Sequence, residues 1–197
     1  MQDKKAIRIA LIGGSIRPNN LTAKALAIAA DEVKKHKDIT LDVFDPAKMN
    51  IPLPGQSSNP SMESFQNCVS KATGVILATP EYNGSYSSII KLLIESLGYP
   101  SILAGKPVGL IGVASGRIGA IKALEHLTSV CVHNGLIVLP SPASVAEAHK
   151  VFDEKGHCLD KKMEERLRSV ANNLINYIRK HVYPTMDREE IIREGKL

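Results

Sequence analysis

The chain is predicted to be an α/β domain, a parallel sheet with helices on both faces. Three observations predict it. Five apolar, strand-like runs alternate with five helical patterns along 197 residues. The runs at 74–78 and 108–113 barely alternate between apolar and polar positions, as strands covered on both faces do. After the first, third and fourth runs the chain enters a loop built from Gly, hydroxyl or amide residues, and each loop leads towards a helix.

The first strand is read over Ile7–Ile12, an apolar run broken only by Arg8. An Ala-rich helical pattern covers Thr22–Lys35, and a second strand covers Leu41–Phe44. The stretch from Pro46 to Pro60 holds four prolines with several Ser and Asn, so it is read as a long irregular connection. Asn59-Pro60 gives a cap followed by proline at the first helical position, opening a helix to about Lys71. Strand three is Gly74–Ala78, followed by a helix over Ser87–Leu97. Strand four is Val108–Val113, followed by a helix over Ile118–His133, and strand five is Leu136–Leu139. In the last helix, Asp160–His181, Met163, Leu167, Val170, Leu174 and Ile178 recur at steps of four and three, which puts them on one face. Residues 1–182 are read as one domain and 183–197 as a charged tail, a solvated helix or a subunit contact.

Bulk properties exclude several function classes. No apolar run is long enough for a membrane span, and the N-terminus lacks a signal-peptide cleavage pattern, so a cytoplasmic protein is expected. The net charge of +5 comes from scattered Lys and Arg, with no basic stripe and no nucleic-acid-reading motif. Cys68, Cys131 and Cys158 show no metal spacing and are read as reduced thiols. The six histidines form no motif, and no GxSxG or metal-binding helix occurs, so no metal site is expected.

In an open parallel sheet, ligands bind outside the carboxyl ends of the strands. That rule selects three loops. In the first, Gly13-Gly14-Ser15-Ile16-Arg17-Pro18-Asn19-Asn20-Leu21-Thr22, helix-start N–H groups suit an anion, and Arg17 adds a fork of donors suited to phosphate. Neither GxxxxGK[ST] nor GxGxxG is present, so a P-loop NTPase and a standard dinucleotide fingerprint are not expected. Asp45, about 30 residues beyond this loop where the fingerprint wants about 20, reads as an ordinary turn aspartate before it reads as a ribose ligand. The second loop, Thr79-Pro80-Glu81-Tyr82-Asn83-Gly84-Ser85, offers an aromatic face and an amide for a flat heterocycle. The third, Ala114-Ser115-Gly116-Arg117-Ile118-Gly119, is small enough for close approach, and Arg117 could meet a second phosphate or a neighbouring carboxylate.

Gly14-Ser15-Ile16-Arg17, the stretch Pro80-Glu81-Tyr82-Asn83-Gly84-Ser85, the run Leu103-Ala104-Gly105-Lys106-Pro107-Val108 and Ser115-Gly116-Arg117 together resemble the NADPH-dependent FMN reductase family, over roughly residues 6–180. The resemblance implies a flavodoxin-like three-layer sandwich with a five-stranded parallel sheet in the order 2-1-3-4-5. It implies FMN as cofactor and NADPH or NADH as co-substrate. Its FMN phosphate would lie on Ser15, Arg17, Asn20, Leu21 and Thr22, and its ring on Pro80, Glu81, Tyr82 and Asn83. Ser115 and Gly116 would border the ring, and Arg117 is the candidate for the extra phosphate of NADPH. Asn20 and Thr22 stand where the family usually has serine and asparagine, and the helix after Lys91 lacks the Asp-Trp pair that members often carry. The implied reaction is ping-pong: hydride passes from NAD(P)H to flavin N5, then electrons go to a quinone, free flavin or other small acceptor. No protein acid, base or nucleophile is needed, and a homodimer or homotetramer is implied. Two alternatives stand beside it: a flavodoxin-type electron carrier, disfavoured by a pI near 9.1, and a flavin-free regulatory protein on the same fold; FAD in place of FMN is disfavoured because the first loop should close around a terminal phosphate.

Overall fold

The computed structural model describes residues 7–184. Its elements in chain order are β1 (Ile7–Gly13), α1 (Leu21–Lys34), β2 (Ile39–Phe44), α2 (Pro60–Lys71), β3 (Gly74–Tyr82), β4 (Ser85–Tyr86), α3 (Ser88–Glu95), β5 (Pro107–Val113), α4 (Ile121–His133), β6 (Ile137–Val138), β7 (Ala143–Val145), α5 (Ala148–Val151) and α6 (Lys161–Tyr177). A single turn of π-helix, Ile178–Val182, prolongs α6. The charged tail expected over 183–197 lies outside the described residues beyond Pro184.

The sheet runs β2-β1-β3-β5-β6, with β7 also parallel to β5. This is the expected 2-1-3-4-5 order, with one difference. The fifth strand is split in two, because Pro140-Ser141-Pro142 interrupts it. Two prolines lack N–H donors for the ladder, and Ser141 has a φ of 68°. β6 therefore pairs with the first half of β5 and β7 with the second.

Alternate residues of the central strands feed two cores. Ile9, Leu11, Ile76 and Ile111 pack against α1 and α6. Ala10, Ile12, Leu77 and Leu110 pack against α2, α3 and α4. Close helix approach needs small residues in the sheet: a Cβ on Gly109 would lie 2.7 Å from Val170 Cγ1 of α6. On the outer edge of the α1–α6 layer, Arg168 ties the two helices together through Asp31, Glu32 and Glu164.

The caps behave as the sequence predicts. Asn59 accepts from Met62 N with Pro60 in the first turn, and Asp160 accepts from Lys162 N and Met163 N. The helix expected from Ile118 starts at Ile121, because Gly119 takes a φ of 81° and no helical turn includes it. The irregular 46–60 connection contains one short 3-10 turn, Pro46–Lys48.

Candidate functional site

Parallel register sets the site. Gly13 of β1 lies beside Ala78 of β3, and Pro80 of β3 lies beside Val113 of β5. The three loops selected from the sequence therefore leave the same sheet edge side by side.

The first loop is pinned from below. A Cβ on Gly14 would sit 2.8 Å from Ala78 O, so only glycine lets the loop press onto the end of β3. Buried Ser87 donates through Oγ to Gly14 O at 2.5 Å and accepts from Ile90 N. Its own N–H donates to Thr79 Oγ1, which in turn donates to Pro80 O. One buried hydroxyl pair thus fastens the first loop, the second loop and the start of α3 to each other. Neither Ser87 nor Thr79 was singled out by the sequence; the signal available was Ser87 as a helix cap.

Asn20 is the N-cap of α1. Its Oδ1 accepts from Ala23 N at 2.7 Å, and its Nδ2 donates to Arg17 O at 2.8 Å and Ser15 O at 3.5 Å. The amide is thereby committed to the loop's own shape. The N–H groups of Leu21 and Thr22, in the first turn, have no intrahelical acceptor. Ser15 and Thr22 are buried, whereas Arg17 is exposed.

The second loop is a hairpin. Asn83 (φ 51°) and Gly84 (φ 73°) form a two-residue turn between Tyr82 and Ser85, the conformation for which Asn-Gly is favoured. Asn83 thus shapes the turn and does not line the cavity. Arg17 lies over the Tyr82 ring, its guanidinium carbon 4.5 Å from the centroid, so the first and second loops also meet above the sheet. Glu81 serves a different element. Its carboxylate accepts from Ala123 N at 3.0 Å and supplies the cap that Ala120 cannot give α4.

Together these loops enclose a cavity of about 180 Å³. Ser15, Arg17, Asn20, Leu21, Thr22, Pro80, Glu81, Tyr82 and Ser115 line it, joined by Pro18, Asn19, Val113, Ala114 and Ala148. Gly116 and Arg117 are exposed and stand outside the lining. Gly116 O instead accepts from Glu147 N, and Ala114 O from Ala148 N, which seats the segment before α5 against the third loop. Ala148 was missed because no sequence signal ties it to that loop. Asp45, as expected of a turn aspartate, caps the 3-10 turn by accepting from Ala47 N. Among the described residues no cluster of three His, Cys, Asp or Glu could hold a metal, and no helix is long and apolar enough to cross a membrane. Burial pushes the Cys131 thiol up to about 12, so it is inert at neutral pH.

A glycine-hinged anion loop next to an aromatic hairpin, on the carboxyl edge of a 2-1-3-4-5 sheet, defines the class: a flavodoxin-like α/β protein whose residues suit a flavin nucleotide. Residues 7–150 match the family model for NADPH-dependent FMN reductase, and the chain belongs to that family. An NAD(P)H-dependent FMN reductase of Pseudomonas aeruginosa is 28% identical over 178 residues, covering 88% of this chain and 96% of that protein. A 2-hydroxy-1,4-benzoquinone reductase of a Burkholderia species is 27% identical over 185 residues, covering 88% and 97%. Among solved structures, the flavoenzyme NAD(P)H:(acceptor) oxidoreductase FerB of Paracoccus denitrificans superposes with a TM-score of 0.75 at 23% identity, covering 89% and 98%. The family is one of oxidoreductases that use FMN and NAD(P)H.

Proposed function

We propose that this chain binds FMN and passes electrons from NAD(P)H to a quinone or a similar small acceptor in a ping-pong cycle. The observation that carries the reading is the Arg17–Tyr82 contact: it sets a phosphate-binding cation and a ring-binding aromatic residue on adjoining loops. The residues fit the group. The Gly14 cradle, the open N–H groups of Leu21 and Thr22, and Arg17 would hold the phosphate. Pro80, Glu81 and Tyr82 would supply backbone and one aromatic face beside the ring, and Ser115 its far border.

Held by these residues, FMN would supply the redox chemistry that links the nicotinamide to the acceptor. The chain orients and encloses. Its Glu81 carboxylate is engaged by Ala123 N of α4, and the proposed cycle asks no proton transfer of it. The Burkholderia relative, a benzoquinone reductase by name, supports a quinone as acceptor. Ile118 within the third loop and Ile121 at the start of α4, at 81% and 54% exposure, would be covered by a second copy in a homodimer or homotetramer.

The test is spectroscopic. Purified protein mixed with FMN should retain flavin absorbance through gel filtration. The bands should bleach on NADPH or NADH without oxygen and return when benzoquinone is added. Retained flavin that neither nucleotide bleaches would make the protein an electron carrier, and failure to retain FMN would overturn the reading.

A further inference from the structure

A second cavity, of about 530 Å³, opens from the same loop. That volume lies in the range of small-molecule sites, about 300–1,000 Å³. Ser15 and Asn20 line both cavities, so the second adjoins the first at the phosphate end of the proposed flavin site. The second runs between α1 and the end of β2. Its apolar walls are Leu26, Ala27 and Ala30 on one side and Phe44, Pro46 and Met49 on the other. Gly13 keeps the inner end low: a Cβ there would touch Pro46 Cδ at 3.4 Å and Phe44 O at 3.5 Å.

The polar groups are placed for a nucleotide. Lys48, beside Asp45 on the 3-10 turn, gives the cavity an ammonium group suited to phosphate, whereas Lys34 lies at the far, C-terminal end of α1. Asp45 lines it too. One of its carboxylate oxygens is used on Ala47 N, and the other lies 3.8 Å from Lys48 Nζ, beyond a hydrogen bond, leaving an acceptor for a ribose hydroxyl. A flat base between apolar walls, a hydroxyl acceptor at the end of β2 and a cation for phosphate suit an adenylate.

We infer that this groove receives the adenylate half of FAD, so that the site takes a flavin extended beyond its first phosphate as well as FMN. The inference rests on the flavin reading above. A dinucleotide would pass Ser15 and Asn20, which line both cavities, to enter the groove. No covalent step is involved.

Titration of the full chain with FMN and with FAD, followed by quenching of flavin fluorescence, tests it. FAD should bind at least as tightly as FMN. Ala27→Trp, at an exposed position of α1 facing the groove, should weaken FAD at least tenfold and leave FMN within twofold. Lys48→Glu, on a side chain 83% exposed and safe for folding, should weaken FAD about fivefold, leave FMN unchanged, and lose its effect at high salt. FMN binding with FAD at least tenfold weaker would overturn the inference alone. So would FAD binding that neither variant changes, or a loss of both flavins alike in Ala27→Trp. Binding of neither flavin to the unaltered chain would overturn the flavin reading together with it.

Discussion

Removing one hydroxyl should loosen the whole site. Ser87→Ala takes away the donor to Gly14 O and the acceptor for Ile90 N, both inside a region closed to water. Each buried group left without its partner costs about 1–3 kcal/mol. Part of the Ile90 loss is relieved at the helix start, so the two together come to about 2–4 kcal/mol. Against a domain stability of about 5–15 kcal/mol that is a large fraction. For a chain of this length it corresponds to a fall in Tm of about 4–16 °C. The same bond holds the first loop onto β3, so FMN affinity should fall at least tenfold. Thermal unfolding followed by circular dichroism gives the first quantity, and flavin fluorescence titration the second. Ser87→Thr keeps the hydroxyl and should recover most of the FMN affinity, which a general loss of packing would not. A Ser87→Ala protein with Tm within about 2 °C and FMN affinity within twofold of the original would refute the reasoning that this latch organises the loops.

Arg17→Ala should weaken FMN by about 1.5–3 kcal/mol, the worth of a charged hydrogen bond to phosphate, with riboflavin affinity changed far less; equal loss for both, by titration, would move Arg17 off the phosphate. Gly109→Ala places a Cβ against buried, χ1-stiff Val170 at 2.7 Å and should cost about 1–3 kcal/mol of overpacking, measured by urea unfolding with no change in flavin binding. Hydrogen bonds from Lys35, Asn172 and Arg168 outweigh burial and hold the Glu32 carboxyl down at about 2, against an ordinary 4.5. A depressed carboxylate contributes stability above its unfolded value and loses it as pH falls through the folded one, so unfolding free energy should decline from about pH 4.5 towards pH 2. Glu32→Gln should flatten that decline, as acid titration of the denaturation midpoint would reveal.

The layer arrangement was legible because period and length decide it, whereas the sheet order came from the family resemblance. Runs such as Gly74–Ala78 are apolar on both sides and short, and Asp160 and Asn59 are caps with visible chemistry. The three loops followed from the carboxyl-edge rule, and the structure brings together Ser15, Arg17, Pro80, Tyr82 and Ser115 as expected. What escaped depends on distant partners. Nothing local in Glu81 says that its carboxylate serves a helix 42 residues away, and nothing in Ser87 says that its hydroxyl reaches back 73 residues to Gly14. The break in the fifth strand was written in Pro140 and Pro142, but β7 offers only Ala143 and Val145 as buried residues, too short a run to read as a strand. Asn83-Gly84 carried the turn signal outright, yet β4 holds only Ser85 and Tyr86, too few residues to show the second arm of a hairpin.

Glu81 gives the cavity wall a dependence of its own. Its chain neighbours Pro80 and Tyr82 face the cavity, while its carboxylate closes the first turn of a helix whose N-cap side chain makes no hydrogen bond. Fraying of that turn releases the carboxylate, and the wall is then free to shift with it. The exchange rate of the Ala123 amide proton against deuterium therefore reports on the wall, although Ala123 itself does not line the cavity. A ligand that steadies Pro80–Tyr82 should slow that exchange from the far side of the hairpin.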